Sequence, residues 1–153
     1  MGQVTEGAKA PDFELEGPDG PIRSVDFKGR TLVLYFYPKD DTTGCTMEAK
    51  DFSALAPEFA KAGVAVVGVS KDSAKSHTKF TGKYGLTVPL AADPDGKVVE
   101  TFESWVPKKL YGREYMGIDR STFLIQDGVI RRIWRKVKVA GHAQAVLEAA
   151  KAL

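Results

Sequence analysis

The chain has 153 residues, of which 43% are hydrophobic and 27% charged, and its formal net charge at pH 7 is +2. This length and composition are ordinary for one compact globular domain spanning residues 1–153, with no internal repeat or linker. The net charge is too small to indicate nucleic acid as a partner. The longest apolar runs, about seven residues, are far below the ~20 needed to span a membrane.

Only one cysteine is present, Cys45. A single cysteine excludes an intramolecular disulfide framework, which fits a reducing compartment. Residues 1–6 also lack the basic region and the apolar stretch of a secretion signal. From these features we expect a cytoplasmic protein.

Strands and helices are predicted to alternate along the chain. Residues 13–15 and 22–25 flank a turn-forming segment and predict an N-terminal β-hairpin. The uniformly apolar segment 32–37 predicts a strand in the middle of a sheet. Apolar residues at helical spacing then predict one helix over residues 46–62, ended by Gly63.

The pattern continues beyond this helix. The next predicted elements are a buried strand at 64–69, a helix that is capped by Ser73, runs to about residue 84 and is ended by Gly85, a short strand at 88–91 and a helical turn at 97–102. Residues 103–117 are predicted to form a long, irregular connection.

The strongest hairpin signal in the chain is Asp127-Gly128, between predicted strands at 121–126 and 129–135. An amphipathic helix is predicted over 143–153. The crossovers after the first two core strands should be right-handed, which makes those strands parallel. The fold class that follows is α/β, a thioredoxin-like three-layer αβα sandwich with a mixed central sheet and an N-terminal β-hairpin.

Cys45 lies at the predicted start of the helix that follows the first core strand. Unpaired backbone N–H groups and the positive end of the helix dipole favour an anionic sulfur there, and the thiolate is the nucleophilic form. A lone cysteine is more often a small, buried and inert apolar residue. Its neighbours argue against a core position, because they are polar or turn-forming. They are Thr42, Thr43, Gly44 and Thr46.

Five segments carry a family resemblance that covers nearly the whole chain. They are Gly7-Ala-Lys-Ala-Pro-Asp-Phe13, Tyr35-Phe-Tyr-Pro-Lys-Asp-Asp-Thr-Thr-Gly-Cys45-Thr, Val69-Ser-Lys-Asp-Ser73 with Ser76-His77, Gly117-Ile-Asp-Arg120-Ser-Thr-Phe-Leu-Ile125, and Val137-Lys-Val-Ala-Gly-His142. In these segments the chain resembles the peroxiredoxins, specifically the bacterioferritin comigratory protein or Prx Q branch. The Pro-x-x-x-Thr-x-x-Cys pattern, combined with the distant Arg120 segment, is the most specific part.

The resemblance implies a peroxidase that reduces hydrogen peroxide and organic hydroperoxides without a prosthetic group. Cys45 would attack the peroxide and become a sulfenic acid. Thr42 would hydrogen-bond the peroxide, and Arg120 would hold a permanent positive charge near the sulfur. The backbone N–H groups of Gly44 and Cys45 would add fixed dipoles. Pro38 would shape the active-site loop and shield the sulfur from water.

Other interpretations of individual residues stay open at this stage. Thr42 is also suited to cap the helix entry, and an isolated Arg120 is also suited to the surface. Glu48 either orients the active-site loop or Arg120, or is an exposed carboxylate favoured by the helix dipole. His77 and His142 lie near predicted helix starts, where solvated or capping roles are expected. No His/Cys/Asp cluster has metal-ligand spacing, so no metal is expected.

The chain departs from its branch at one point. Many members carry a second cysteine five residues after the first, where this chain has Lys50, and no other cysteine exists in the following helix. Lys50 either adds positive charge near the sulfur or is simply solvated. We therefore expect a one-Cys peroxiredoxin whose sulfenic acid is resolved by an external thiol or by a disulfide between two copies. The external thiol is a small thiol or a thioredoxin-type or glutaredoxin-type protein.

Two other functions are alternatives to this one. A glutathione-peroxidase-like enzyme shares the fold, but its Gln and Trp partners do not stand at matching places. The non-enzyme alternative is a redox sensor or thioredoxin-like binding module that transmits the oxidation of Cys45 to a partner. We expect no nucleic-acid or membrane partner, and a monomer or weak dimer.

Overall fold

The structure is a computed structural model that describes residues 3–153. Its strands are β1 (Glu14–Gly17), β2 (Gly20–Arg23), β3 (Thr31–Phe36), β4 (Val64–Ser70), β5 (Leu90–Ala92), β6 (Trp105–Leu110), β7 (Arg113–Ile118), β8 (Ser121–Gln126) and β9 (Val129–Trp134). Its helices are α1 (Thr43–Ala54), α2 (Ala56–Lys61), α3 (Ala74–Tyr84), α4 (Lys97–Thr101) and α5 (His142–Lys151). Met1 and Gly2, on which part of the expectation about a secretion signal rests, lie outside the described residues.

A mixed sheet of seven strands forms the middle layer, in the order β2-β1-β5-β4-β3-β8-β9. The central strand β3 is parallel to β4 and antiparallel to β8, and β4 is parallel to β5. The α/β class, the mixed sheet, the N-terminal hairpin and the central position of the first apolar strand are thereby confirmed. The Asp127-Gly128 hairpin is also present, with both turn residues at positive φ, as a tight two-residue turn requires.

The side chains of β3 alternate between two apolar layers, because successive residues of a strand point to opposite faces of the sheet. Val33 and Tyr35 face a layer that contains α1, α3 and α5. Leu34 and Phe36 face a second layer that contains α4. Since both faces are covered, β3 has no polar side, which explains its uniformly apolar sequence.

The single helix predicted over residues 46–62 is wrong in two respects. Helix α1 begins three residues earlier, at Thr43, and the helix is broken at Leu55, after which α2 begins. Pro57 explains the break. Its ring lacks the N–H that would bond to Ser53 and would clash with the carbonyl of that residue in a continuous helix.

The irregular connection predicted over residues 103–117 is also wrong. Strands β6 and β7 pair antiparallel there in a separate two-stranded hairpin, with Trp105 opposite Ile118 and Leu110 opposite Arg113. Its turn consists of Tyr111 and Gly112, both at positive φ. Tyrosine seldom adopts that conformation, so residue type alone does not predict the turn.

Helix α3 matches its prediction at both ends. Ser73 is the N-cap, and its side chain accepts a hydrogen bond from the backbone N–H of Ser76. Gly85 ends the helix in the left-handed conformation. Among the helices of residues 3–153, none combines the length and apolar content that crossing a membrane would require.

Candidate active site

Cys45 is the third residue of α1. The first hydrogen bond of this helix runs from the N–H of Thr46 to the carbonyl of Thr42, at 2.8 Å. The N–H groups of Gly44 and Cys45 precede that bond and have no acceptor within the helix. The sulfur therefore lies at the N-terminal end of a helix, as the sequence indicated.

The burial of Cys45 differs from the sequence-based expectation. Its polar neighbours argued against a core position, yet Cys45 is only 2% exposed and belongs to the apolar cluster around Tyr35 and Phe52. The sulfur is buried because its own neighbours in α1, Ala49 and Phe52, continue the apolar face of the helix towards the sheet. The nucleophile candidate is thus a buried thiol with a charged group beside it.

That charged group is Arg120, which lies between β7 and β8. The register of the sheet brings it to the thiol, since Ser121 pairs with Phe36 at the end of β3. From there the chain runs through Tyr37 into the Cys45 loop, residues 38–42, and then into α1. Arg120 donates from Nη2 to the sulfur of Cys45 at 3.3 Å. The structure therefore brings Arg120 and Cys45 together and contradicts the interpretation of Arg120 as an isolated surface charge.

Gly44 makes room for the guanidinium. A Cβ atom on Gly44 would lie 3.2 Å from Nη2 of Arg120, which is closer than most real Cβ contacts. Because glycine has no side chain, another group can approach its backbone closely. In the structure, the group at that place is the side chain of Arg120.

Glu48 fixes the other side of the guanidinium. It is 1% exposed, and its Oε1 accepts a hydrogen bond from Nη1 of Arg120 at 2.7 Å. Within residues 3–153, Oε2 of Glu48 has no hydrogen-bond partner. The interpretation of Glu48 as an exposed carboxylate is wrong, and the carboxylate lies where it can orient Arg120.

Burial is the largest influence on the pKa of Glu48. It raises the pKa of that carboxyl to about 7, and the attraction of Arg120 offsets only part of the effect. The pKa of Arg120 stays above its ordinary value, because the nearby Glu48 and Cys45 outweigh the cost of its own burial. The arginine is permanently charged, whereas the glutamate titrates near neutral pH.

Thr42 is exposed and occupies the N-cap position of α1 by its backbone. Its side chain makes no capping hydrogen bond; its Oγ1 donates instead to the carbonyl of Lys39 at 2.9 Å. The alternative of Thr42 as a side-chain cap is therefore wrong. Pro38 opens the same loop and is partly buried.

Both histidines were expected to be solvated or to cap helices, and both are buried. His77 is 4% exposed and hydrogen-bonds to Asp40 of the Cys45 loop. His142 is 6% exposed, and its Nε2 lies 2.8 Å from Oγ1 of Thr122. Burial and the charge of Arg120 lower the pKa of His142 to about 4, so this ring is neutral at pH 7.

Sequence reasoning missed Asp40 and His77 as neighbours of the site. A signal was available, because His77 lies four residues after the N-cap Ser73 and three before the buried Phe80. That spacing places His77 on the inner face of α3. A buried histidine needs a polar partner, and Asp40 in the Cys45 loop is that partner.

Two other expectations concern Lys50 and metal binding. Lys50 is exposed, with its Nζ 5.9 Å from the centre of the Tyr84 ring, which agrees with a solvated side chain. Within the described part of the chain, no three or more His, Cys, Asp or Glu side chains come together in a way that would hold a metal ion.

A thiol at a helix N-terminus, contacted by an arginine on a thioredoxin-like sheet, defines a thiol-dependent peroxidase. The chain belongs to the AhpC/TSA family, whose sequence profile matches residues 7–133. Within this family it is a peroxiredoxin of the Bcp or peroxiredoxin Q branch, in a form with a single cysteine. Its substrate class is therefore peroxide, and its reductant is a thiol.

Several known peroxiredoxins are similar to this chain in sequence and in structure. A putative peroxiredoxin Bcp of Helicobacter pylori is 49% identical over 97% of this chain and 99% of that protein. A Cys-to-Ser variant of peroxiredoxin Q from Xylella fastidiosa has a TM-score of 0.93 at 38% identity, covering 99% of this chain and 98% of that one. The Xanthomonas campestris bacterioferritin comigratory protein, solved in a study of its alkyl peroxide reduction activity, has a TM-score of 0.87 at 48% identity. The match covers 92% of this chain and 90% of that one.

Proposed function

We propose that this peroxiredoxin reduces both hydrogen peroxide and organic hydroperoxides through a sulfenic acid on Cys45, which an external thiol resolves. The observation that carries the proposal is the 3.3 Å contact from Arg120 to the sulfur of the chain's single cysteine. The similarity to a protein described for alkyl peroxide reduction supports the inclusion of organic hydroperoxides.

The first half-reaction oxidises Cys45. The thiolate attacks one oxygen of the peroxide, a sulfur–oxygen bond forms, and the oxygen–oxygen bond breaks. The alkoxide or hydroxide that leaves takes up a proton and becomes an alcohol or water. Negative charge moves from sulfur to the leaving oxygen. A fixed positive charge such as that of Arg120 is most useful where this charge develops.

The loop before the helix supplies the other contacts. The proton of the Thr42 hydroxyl is directed at the carbonyl of Lys39, so its oxygen is free to accept a hydrogen bond from the O–H of the peroxide. The N–H groups of Gly44 and Cys45 have no helical acceptor and would stabilise the oxygen that becomes negative. Pro38 would limit the access of water to the loop.

The second half-reaction requires a thiol from outside the chain. The sulfenic acid condenses with this thiol to give a mixed disulfide and water. A second thiol then attacks the disulfide and releases Cys45. A small thiol or a thioredoxin-type or glutaredoxin-type protein would serve in a reducing cytoplasm, and a disulfide between two copies is the alternative first product.

A second candidate function is a redox sensor, and the burial of Cys45 favours it. The sulfur of a cysteine residue that is only 2% exposed is difficult for an external thiol to reach, and an oxidised form that persists would suit a signal. A sensor oxidises once and stops, whereas a peroxidase turns over.

Steady-state consumption of peroxide with each class of thiol decides between the two functions. We expect many turnovers per Cys45 with at least one thiol, and none in a Cys45→Ser variant. Consumption that stops after one equivalent with every thiol would favour the sensor. Turnover near the wild-type rate in Cys45→Ser would contradict both, because no other thiol is available in the chain.

A further inference from the structure

A buried group of polar side chains attaches the Cys45 loop to helix α3. We call it the Asp40 cluster; its members are Tyr37, Asp40, Ser76 and His77. The Asp40 carboxylate accepts hydrogen bonds from the Tyr37 hydroxyl at 2.5 Å and the Ser76 hydroxyl at 2.7 Å, and it lies 2.7 Å from Nδ1 of His77. The catalytic scheme above makes no use of these contacts.

The hydrogen-bond partners of His77 show where protons lie on and beside its ring. Nε2 of His77 lies 3.0 Å from the carbonyl oxygen of Ala91. That oxygen only accepts, so Nε2 carries a proton. Nδ1 faces the Asp40 carboxylate, so the contact between them contains a second proton. Burial alone would raise the pKa of Asp40, but hydrogen bonds from His77, Tyr37 and Ser76 outweigh it and lower that pKa.

Asp40 and His77 therefore form a buried, hydrogen-bonded contact in which every polar side-chain atom of the two residues is engaged. Asp40 and His77 are 8% and 4% exposed. Removing either side chain leaves buried polar atoms of the other without a hydrogen-bond partner, which is costly, so the two side chains hold their elements together firmly. One element is the loop that enters α1, and the other is the inner face of α3.

The contacts of Asp40 also determine where the neighbouring backbone lies beside Thr42. The backbone N–H of Asp40 donates to Oδ2 of Asp72 at 2.8 Å, so the backbone of Asp40 is fixed as well as its side chain. The preceding carbonyl belongs to Lys39 and is the acceptor for the Thr42 hydroxyl. The position of Asp40 therefore sets the position of the oxygen that orients Thr42.

We propose that Asp40 and His77 are positioning residues that hold the loop in the conformation that reacts with peroxide. The inference rests on the proposed function, since it assigns these residues to the first half-reaction only. With Cys45 2% exposed, a protein thiol must approach a loop that has moved away from α3. A weaker Asp40–His77 contact should therefore slow the oxidation of Cys45 without slowing its reduction by a protein thiol.

Single-turnover kinetics separate the two half-reactions. The oxidation of Cys45 by hydrogen peroxide is followed in stopped flow without reductant, and the oxidised protein is then mixed with a thioredoxin-type protein. In His77→Gln and Asp40→Asn, we expect oxidation to slow by about tenfold or more, because displacements near 1 Å can cost ~100-fold in rate. Reduction should proceed at least as fast as in the wild type.

The matched control is Thr78→Ala, which changes the next residue of α3. Thr78 is exposed, and its hydroxyl bonds to the carbonyl of Ala74 in the same helix. In Thr78→Ala, the oxidation of Cys45 and its reduction by the protein thiol should both proceed at the wild-type rates. The Asp40→Asn/His77→Gln double variant should be no slower than the slower single variant, because both changes remove the same contact.

Several outcomes would overturn the proposal. Wild-type oxidation rates in folded His77→Gln, or equal slowing of both half-reactions, would show that the pair has only a structural role. If these variants do not fold, Ser76→Ala decides, since it removes one hydroxyl donor to Asp40 and keeps the Asp40–His77 contact. It should slow oxidation alone by a smaller factor, and unchanged oxidation would reject the proposal. If wild-type Cys45 does not react with peroxide at all, the proposed function itself is wrong.

Discussion

Arg120 and Cys45 are 75 positions apart in the sequence, and Nη2 of the arginine donates to the sulfur at 3.3 Å. The same guanidinium uses its other terminal nitrogen for Glu48, at 2.7 Å. A planar group with several donors can make both contacts at once in a fixed orientation, whereas the single nitrogen of a lysine cannot. Glu48 therefore holds the guanidinium of Arg120 in an orientation that places its positive charge beside the sulfur.

The first prediction tests the positive charge of Arg120. In Arg120→Met we expect iodoacetamide to alkylate Cys45 more slowly than in the wild type, because the methionine offers no positive charge to stabilise the anionic sulfur that reacts. The rate of peroxide reduction should fall by about 100-fold or more, in the range found when one preorganised donor is removed. Arg132→Met is the control, since Arg132 is an exposed arginine of β9. If the Arg120→Met curves overlay those of wild type, Arg120 has no role at the site.

The second prediction concerns the space at Gly44. A methyl group there would lie 3.2 Å from Nη2 of Arg120, so Gly44→Ala should displace the guanidinium by a few tenths of an ångström. We expect the peroxide rate to fall by about tenfold or less. Alanine favours a helix over glycine by about 1 kcal/mol, so a slower rate would not result from unfolding.

Gly82→Ala is the matched control for this change. Gly82 also lies in a helix, α3, and a Cβ there would meet no atom within 4 Å. Stopped-flow oxidation should be unchanged in this variant. Equal rates in Gly44→Ala and Gly82→Ala would show that the position of the guanidinium tolerates the extra methyl group.

The third prediction uses the titration of Glu48. Burial raises its pKa in the folded state from 4.5 to about 7, so the folded protein binds this proton more tightly than the unfolded chain does. The free energy of unfolding should therefore decrease as the pH rises from about 4.5 to 7, by up to about 3 kcal/mol from this group. Glu48→Gln should lack that decrease.

Urea unfolding at a series of pH values measures the effect. The exposed Glu58 of α2 supplies the control variant, Glu58→Gln, which should keep the pH dependence of the wild type. Parallel curves for the wild type and Glu48→Gln would mean that the pKa of Glu48 is the same in the folded and unfolded states, which contradicts the prediction.

The sequence was sufficient to predict the sheet because each central strand has a pattern that only one environment explains. Residues 32–37 are apolar without alternation, as a strand covered on both faces must be. The hairpin at Asp127-Gly128 has the residues that its turn conformation requires. The position of Cys45 at a helix start followed from the change of pattern around it.

The parts that were missed depend on contacts between distant segments. The spacing of His77 along α3 places it on an inner face, but its contact with Asp40 is set by how α3 packs beside the loop before α1, and residue spacing does not encode that partner. The β6–β7 hairpin was missed because its turn uses a tyrosine at positive φ. Propensity argues against that conformation, and tertiary context overrides it.

The last prediction follows from the absence of a second cysteine, which leaves an oxidised Cys45 without an internal partner. After one equivalent of peroxide and no reductant, intact mass spectrometry should find sulfenic acid or an intermolecular disulfide. Excess peroxide should then convert Cys45 to sulfinic acid and inactivate the protein, because that step is irreversible without a dedicated repair enzyme.

A cysteine introduced at position 50 should reduce this inactivation. Lys50 is exposed on α1, five residues after Cys45, so the two Cα atoms of an intact helix lie beyond the ~7 Å that a disulfide can bridge. Lys50→Cys therefore protects Cys45 only if the first turns of α1 unwind after oxidation. Lys50→Ser removes the same charge without adding a thiol and should give no protection. If the wild-type protein resists overoxidation without an added thiol or an intermolecular disulfide, the one-Cys mechanism is wrong.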